Sequence, residues 1–486
     1  MSTSSSGDPL ATPHRAFDAE GRQAMEIAAR LAIAFRDGID DGPARPALRP
    51  ADLVARFAGP LAETGEPAPT VIKALAKAAA DGIHPHPSPR FFGYVIGGSM
   101  PVGTAADFLV SSWGQNAASS WESPAVAVIE QTLCGWCLDL LGLPPDSGVG
   151  IVTGATVANT QAIMAARDAL LARQGWDAGE KGLFGAPEIP VLIGADAHSA
   201  PLAALRYAGF GPGRAIRIAT DDQGRIRLDA LETALAGCAT PPLVILQAGQ
   251  INTGAFDPFA DAIPMIHRHR GWAHVDGAFG LWLNAVPALR HRLRGVEAAD
   301  SWAVDLHKWL NAPYDAGLSI TRDRAALMAA MTARGAYLPD PGKTWEPADS
   351  TLELSRRARG VPSYAILRHL GVSGLRDMIA RHCALAAYLA QRIASQPGIT
   401  VLNEVVSNQV ALACADDATT QRVLTLVQEK GRVYPSHGLW RGQKIIRCSI
   451  SNHATDRADI DLLADELLSA LREAVRDGTP NPARTP

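Results

Sequence analysis

Four short runs place polar, chemistry-bearing residues where apolar, strand-like stretches stop. They are Thr153-Gly154-Ala155-Thr156, Asp196-Ala197-His198, His274-Val275-Asp276 and Asp305-Leu306-His307-Lys308. A lysine in an apolar pocket gives up its proton more readily and can then form an imine with a carbonyl compound. The plain alternative for Lys308 is a surface lysine lying along Trp309. A carboxylate at the end of an apolar strand, as Asp276 is, is costly unless it has a partner, and a protonated pyridine nitrogen would be one. Asp276 could instead cap a helix over GAFGLWL. His198 could lie flat over a ring, or be a core histidine with its bonds satisfied. Gly154, Ala155 and Thr156 open a strong helical pattern, ATVANTQAIMAARDALLAR, so free N–H groups there could face a phosphate. The other reading of that run is an ordinary strand-to-helix turn.

The elements that must position these residues follow from periodicity. Between about Gly148 and Arg324, seven β-branched runs alternate with longer helical patterns: GIVTG, VLIGADAH, AIRIAT, LVILQAGQ, GWAHVDGAF, SWAVDLHK and GLSIT. Such alternation predicts an α/β fold with a mainly parallel seven-stranded sheet flanked by helices. Ligands of such sheets collect at the carboxyl ends of the strands, where the four runs fall. Residues 1–83 read as a helical arm and dimerisation segment, with a helix from Arg15 to Asp37 broken by DDGPARPALRP. Residues 84–374 read as the large domain, 375–476 as a small C-terminal α+β domain, and 477–486 as a disordered tail.

Composition narrows the function. With 486 residues and 47% hydrophobic content the chain can bury a large core, and 45 basic against 49 acidic residues give a formal charge of −4 without long runs. That balance gives no footprint for nucleic acid or a membrane surface, so the partner is expected to be a small molecule. No secretory signal and no apolar stretch of about 18 residues stands out by inspection, so a soluble, cytoplasmic protein is expected. Cys134 and Cys137 form a C-x-x-C inside a helical pattern and read as buried thiols. The pairs His84/His86 and His267/His269 lack a third ligand, and no metal is expected.

Taken together, these runs resemble the group II pyridoxal-phosphate decarboxylases, the family of aromatic-L-amino-acid, histidine and glutamate decarboxylases. The motifs occur in order from about His84 to Ser451: HPHPSPRFFGYVIGGSMP, ESPAVAVIEQ, TGATVANTQAIMAAR, ADAHSAPLAALRYAG, NTGAFDP, HVDGAFG, DLHKWLNAPYD and ELSRRARGVPSYAIL. The resemblance implies fold type I, aspartate-aminotransferase-like, with pyridoxal 5′-phosphate as cofactor and a homodimer whose active site lies at the subunit interface. It implies that Lys308 carries the cofactor as a Schiff base, that Asp276 pairs with the pyridine nitrogen and that His198 stacks on the ring. Gly154, Ala155, Thr156 and His307 would contact the phosphate, with Ala278 supporting the cofactor face. Tyr94 and Arg356 would belong to the substrate pocket, Arg356 matching a structural arginine. Tyr337, in a Gly- and Pro-rich stretch that reads as a mobile loop, matches the tyrosine that returns a proton to Cα.

The chain departs from the family at several positions. Val157 replaces an acidic residue of the usual phosphate turn, and Gln250 stands where a threonine is common. Asp305-Leu306 replaces the Asn-Pro of the aromatic decarboxylases, and Val95-Ile96-Gly97-Gly98 follow Tyr94 in place of a bulkier set. The expected activity is decarboxylation of an L-amino acid. Rivals are another reaction at the same Cα (aldehyde synthesis, transamination or aldol-type cleavage) and a catalytically idle binding protein; the substrate's identity does not follow.

Overall fold

The computed structural model describes residues 17–332 and 346–478. The chain divides into two compact units, Met1–Ser88 and Pro89–Pro486. In the first, a helix at Ala19–Asp37 is capped by Asp18, whose Oδ1 accepts the Gly21 N–H at 2.8 Å. This helix buries Ile27 and leaves Ile33 and Phe35 exposed.

In the second unit a short strand at Phe91–Phe92 (β1) precedes the strands of the main sheet. These are Gly148–Val152 (β2), Val191–Gly194 (β3), Ile216–Ile218 (β4), Leu243–Gln247 (β5), Trp272–Asp276 (β6), Ser301–Asp305 (β7) and Gly317–Thr321 (β8). Every expected run forms a strand. Their order is β2-β8-β7-β6-β5-β3-β4, parallel except for β8, which runs antiparallel to both neighbours. All positions of β2, β3, β5, β6, β7 and β8 are buried, as a sheet covered on both faces requires.

Four tryptophans fill this core, and each indole N–H finds an acceptor at 2.9 Å: Trp272 on Ser301 Oγ, Trp282 on the Asp305 carbonyl, Trp302 on the Val296 carbonyl and Trp309 on His382 Nδ1. Each ring buries on the order of 200 Å² without stranding a donor. The helix Pro124–Leu141 is, contrary to inspection of the sequence, apolar enough over 18 residues to cross a membrane. It packs Leu133, Cys134, Cys137 and Leu141 into the core, which accounts for that composition.

The remaining strands are Ile399–Val401 (β9), Gln409–Cys414 (β10), Tyr434–Trp440 (β11) and Gln443–Ser449 (β12). They form a second sheet in the order β1-β11-β12-β10-β9, in which β1 lies parallel to β11 and the other pairs are antiparallel. The expected boundary at 374/375 falls within a helix, Gly360–Ala394, that breaks at Gly371.

Candidate active site

The carboxyl ends of β2, β3, β6 and β7 bring the predicted residues together. Thr153 and Gly154 follow β2, and the helix Ala155–Ala172 starts at once. A side chain at Gly154 has no room, because its Cβ would lie 2.8 Å from His307 Cε1 and 3.0 Å from Asp305 Oδ1. The Ala155 N–H, one of the donors a helix start leaves free, is taken by Asp305 Oδ1 at 2.6 Å. Thr156 follows with its side chain exposed.

β7 delivers Asp305 into a turn whose Lys308 comes back to it, with Nζ 2.8 Å from Asp305 Oδ2. His307 Nδ1 accepts the Ala316 N–H at 3.2 Å, so its Nε2 carries the hydrogen and points to Asp305 Oδ1 at 3.4 Å. Burial lowers the pKa of His307, partly offset by Asp305, and the ring stacks on Tyr314 at 4.2 Å.

Asp276, 8% exposed, ends β6. Its Oδ1 accepts the Ala278 N–H at 3.3 Å, and the Ala278 carbonyl accepts the Asp305 N–H at 2.8 Å, which ties the ends of β6 and β7. Burial raises the Asp276 pKa; His198, Lys308 and the Asn159 side chain act against that rise. Asn159 is held by a relay through the sheet. The Trp272 indole can only donate, so Ser301 accepts from it and turns its own hydrogen to His274 Nδ1, leaving His274 Nε2–H for Asn159 Oδ1 at 2.7 Å. Burial holds the His274 pKa down at about 3, and the ring stays neutral.

His198 follows β3 and caps the helix Ser199–Tyr207, with Nδ1 accepting the Ala200 N–H at 3.1 Å. Its Nε2 therefore bears the hydrogen. Burial lowers its pKa, opposed by Asp276, while Lys308 and Arg447 lower it further. A small cavity is lined by His198, Asp276, Gln247 and Asp257. A cleft of about 640 Å³ near Arg167 and Thr240 includes none of these residues, so chemistry rather than volume identifies the site.

The second sheet supplies the other wall. Tyr94 and Val95, just past β1, both have φ of 59°, a left-handed conformation that is costly for a β-branched residue. The bend brings Gly97 against the Lys308 turn, where a Cβ would lie 2.2 Å from the Lys308 carbonyl, and Gly98 donates to Asn311 Oδ1 at 2.6 Å. Tyr94 thus sits beside Ser436, His437 and Arg447. Arg447 was not singled out by sequence. It is 8% exposed, its Nε has no hydrogen-bond partner among the described residues, and burial lowers its pKa to about 10, with Tyr94 acting against the fall. Arg356 is a different case. Both its terminal nitrogens bond Glu130, at 3.1 and 2.5 Å, and its side chain is 1% exposed, so the place expected in the substrate pocket is a sealed ion pair. Tyr337 lies outside the described residues.

The family pattern described as the pyridoxal-dependent decarboxylase conserved domain matches residues 50–414. The chain belongs to the pyridoxal-dependent decarboxylases. This decarboxylase is 25% identical to tryptophan decarboxylase 1 of Oryza sativa subsp. japonica over 456 residues, covering 86% of this chain and 87% of that protein. It is 26% identical to phenylacetaldehyde synthase of Arabidopsis thaliana over 401 residues, covering 77% and 80%. A crystal structure of Oryza sativa TDC with PLP and tryptamine superposes with a TM-score of 0.88 at 22% identity, covering 95% of this chain and 99% of that one. The fold is that of the type I pyridoxal-phosphate decarboxylases, the cofactor is pyridoxal 5′-phosphate and the enzyme is a lyase.

The residues present fit that cofactor. Among the described residues no lysine or arginine forms an ion pair with the buried Asp276, Lys308 follows the adjoining strand, and the helix at Ala155 starts among small residues, a set that suits a cationic ring nitrogen, an aldehyde and a phosphate.

Proposed function

We propose that this decarboxylase removes the α-carboxylate of an L-amino acid. The observation that carries the reading is the buried Asp276 carboxylate, within electrostatic reach of Lys308, past the end of the neighbouring β7, and of His198, past the end of β3 two strands away. In this reading Lys308 holds the cofactor covalently through Nζ, and Asp276 keeps a proton on the ring nitrogen. His198, anchored by its Nδ1, covers one ring face and Ala278 supports the site from the end of β6. Gly154, Ala155, Thr156 and His307 flank the phosphate. When bound, the cofactor supplies an electron sink for the pair left on Cα as a bond breaks.

The chain's own residues then decide which bond that is. Arg447, buried and without an acidic partner among the described residues, gives a substrate carboxylate its counter-charge and fixes its direction, while Tyr94 narrows the same wall. Tyr337 is assigned the return of a proton to Cα. A second reading is an aldehyde synthase, favoured by the similarity to phenylacetaldehyde synthase. A catalytically idle protein would have no chemical need for a half-buried lysine held against one buried carboxylate and within electrostatic reach of another.

We further assign the functional form as a homodimer, with the active site at the subunit interface. The second unit exposes Phe108, Leu109, Trp113, Trp121 and Val128, a quantity of apolar surface that a second copy would cover. Sedimentation should give a dimer at micromolar concentration; a stable, active monomer would refute this. For the reaction, holoenzyme incubated with each proteinogenic amino acid should release CO2 and the matching amine. Ammonia and aldehyde in place of amine would select the second reading, and no product with any of them would favour the idle protein.

A further inference from the structure

The Asp305 carboxylate already occupies one of the donors assigned to the phosphate, the Ala155 N–H, and lies against a second, His307. Its Oδ1 takes the Ala155 N–H at 2.6 Å and faces His307 Nε2 at 3.4 Å, while Oδ2 holds Lys308 Nζ at 2.8 Å, and the side chain is 3% exposed. Gly154 has no Cβ because these same atoms fill the space beside it. We propose that Asp305 opposes the cofactor's phosphate, so that this chain holds its cofactor more weakly and exchanges it more readily than a chain with a neutral amide at this position.

The proposal rests on the reading of the Lys308 pocket as the cofactor site. Its physical basis is a count of charges. Among the described residues, the ion pairs of Asp305 are to Lys308 and His307 alone. Burial keeps His307 towards its neutral form, and Lys308 is the residue assigned to the covalent bond. No cation bonded to Asp305 is left to neutralise both it and an arriving phosphate, and two anions in a poorly solvated pocket repel strongly. An asparagine, the residue of the aromatic decarboxylases, would keep an oxygen acceptor for the Ala155 N–H and would turn N–H donors, not a negative charge, to the other side. The aspartate therefore weakens a contact that the same backbone could make strong, and cofactor occupancy becomes responsive to the free concentration.

The test compares wild type with Asp305→Asn. Holoenzyme is dialysed free of cofactor, and dissociation constants for pyridoxal 5′-phosphate, pyridoxamine 5′-phosphate and pyridoxal are measured by quenching of tryptophan fluorescence. The variant should bind both phosphate-bearing ligands at least about tenfold more tightly, and pyridoxal less than about threefold more tightly. A gain shared by pyridoxal 5′-phosphate and pyridoxal but absent for pyridoxamine 5′-phosphate, which has no aldehyde to bond Lys308, would place the effect in the release of Lys308 and overturn the proposal, as would an equal gain for all three. So would unchanged or weaker binding of the phosphorylated ligands by a variant with the wild-type circular dichroism. If Asp305→Asn does not fold, wild type alone decides. There the phosphate should strengthen binding by less than about a hundredfold over pyridoxal, and a larger gap refutes the opposition. Failure of wild type to give any borohydride-trapped adduct would overturn the cofactor assignment as well, whereas the other outcomes leave it standing.

Discussion

The two walls of the site are built on different terms. The wall assigned to the cofactor comes from strand ends of one buried sheet. Asp276 and Asp305 each end a strand, His198 and Lys308 each follow one by no more than four residues, and the Trp272, Ser301, His274 and Asn159 relay locks the region behind Asp276. The wall assigned to the substrate comes from another sheet. Tyr94 reaches it through two left-handed residues, and Arg447 reaches it because β12 pairs with β11, which pairs with β1. Sheet geometry imposes the first wall, while the second depends on loop conformation and long-range pairing. A family that keeps its cofactor chemistry and changes its substrate can vary the second wall alone.

The largest expected effects lie on the cofactor wall. Lys308→Ala should abolish the borohydride-trapped adduct, since only a primary amine can form it, and Asp276→Ala should still bind cofactor yet lose turnover by several orders of magnitude. Retention of the adduct on the same peptide in Lys308→Ala would dissolve the distinction between the walls. Arg356→Ala, by contrast, should act on stability. Removing one partner of a buried ion pair strands the Glu130 charge and costs about 3–5 kcal/mol, read as a lower denaturant midpoint. If KM changed instead and the midpoint did not, Arg356 would belong to the substrate wall after all.

That difference also explains what the sequence disclosed. The seven runs, their buried faces and the polar residues at their ends follow from local periodicity, so the strands formed where expected and their ends converged. Arg447 was hidden because nothing in KIIRCSISN says that its third residue after Lys444 faces Tyr94; that depends on registers such as Phe91↔Tyr434 and Ser436↔Arg447. The Arg356 and Glu130 pair joins residues 226 apart, and no local pattern couples them. The left-handed turn at Tyr94-Val95 was equally hidden, since valine is a poor candidate for that conformation.

Smaller effects should mark the substrate wall. Arg447→Met should raise KM by about ten- to a hundredfold, the value of a charge-assisted hydrogen bond, with a lesser change in kcat and none in cofactor affinity. A loss confined to kcat would move Arg447 into the chemistry. Tyr337→Phe keeps the ring and removes only the transferable proton, so in air CO2 release should continue while amine falls and, with dissolved dioxygen consumed as the two-electron oxidant, aldehyde plus ammonia rise. An unchanged amine yield would remove Tyr337 from the mechanism, and equal loss of all products would make its role structural.

The smallest effect should come from Asp257, behind the cofactor wall, which shares a small cavity with His198 and Asp276. Its two carboxylate oxygens accept the N–H groups of Ile226 at 2.8 Å and Gln247 at 2.7 Å, yet burial outweighs these bonds and raises its pKa from 3.8 to about 7. Because the folded value lies above the unfolded one, the contribution to stability is complete below about pH 4 and is lost as pH rises through about 7. The buried His274 has the opposite sign. Its pKa falls to about 3, so its contribution is complete above 6.5 and fades as pH falls towards 3. A comparison with Asp257→Asn isolates the aspartate, because the histidine contribution is common to both proteins. Asparagine has one acceptor oxygen and sets an amide N–H against the second backbone donor, so the variant should be less stable at pH 5 by roughly 1–3 kcal/mol. Between about pH 4 and 7 the unfolded carboxyl is ionised while the folded one still holds its proton, so the wild type loses stability across that range and the gap between the two unfolding midpoints should narrow, levelling off above about 7. A gap that stays constant from pH 5 to 8 would show that Asp257 is already ionised in the fold, with its two N–H donors sufficient to hold the charge beside Asp276.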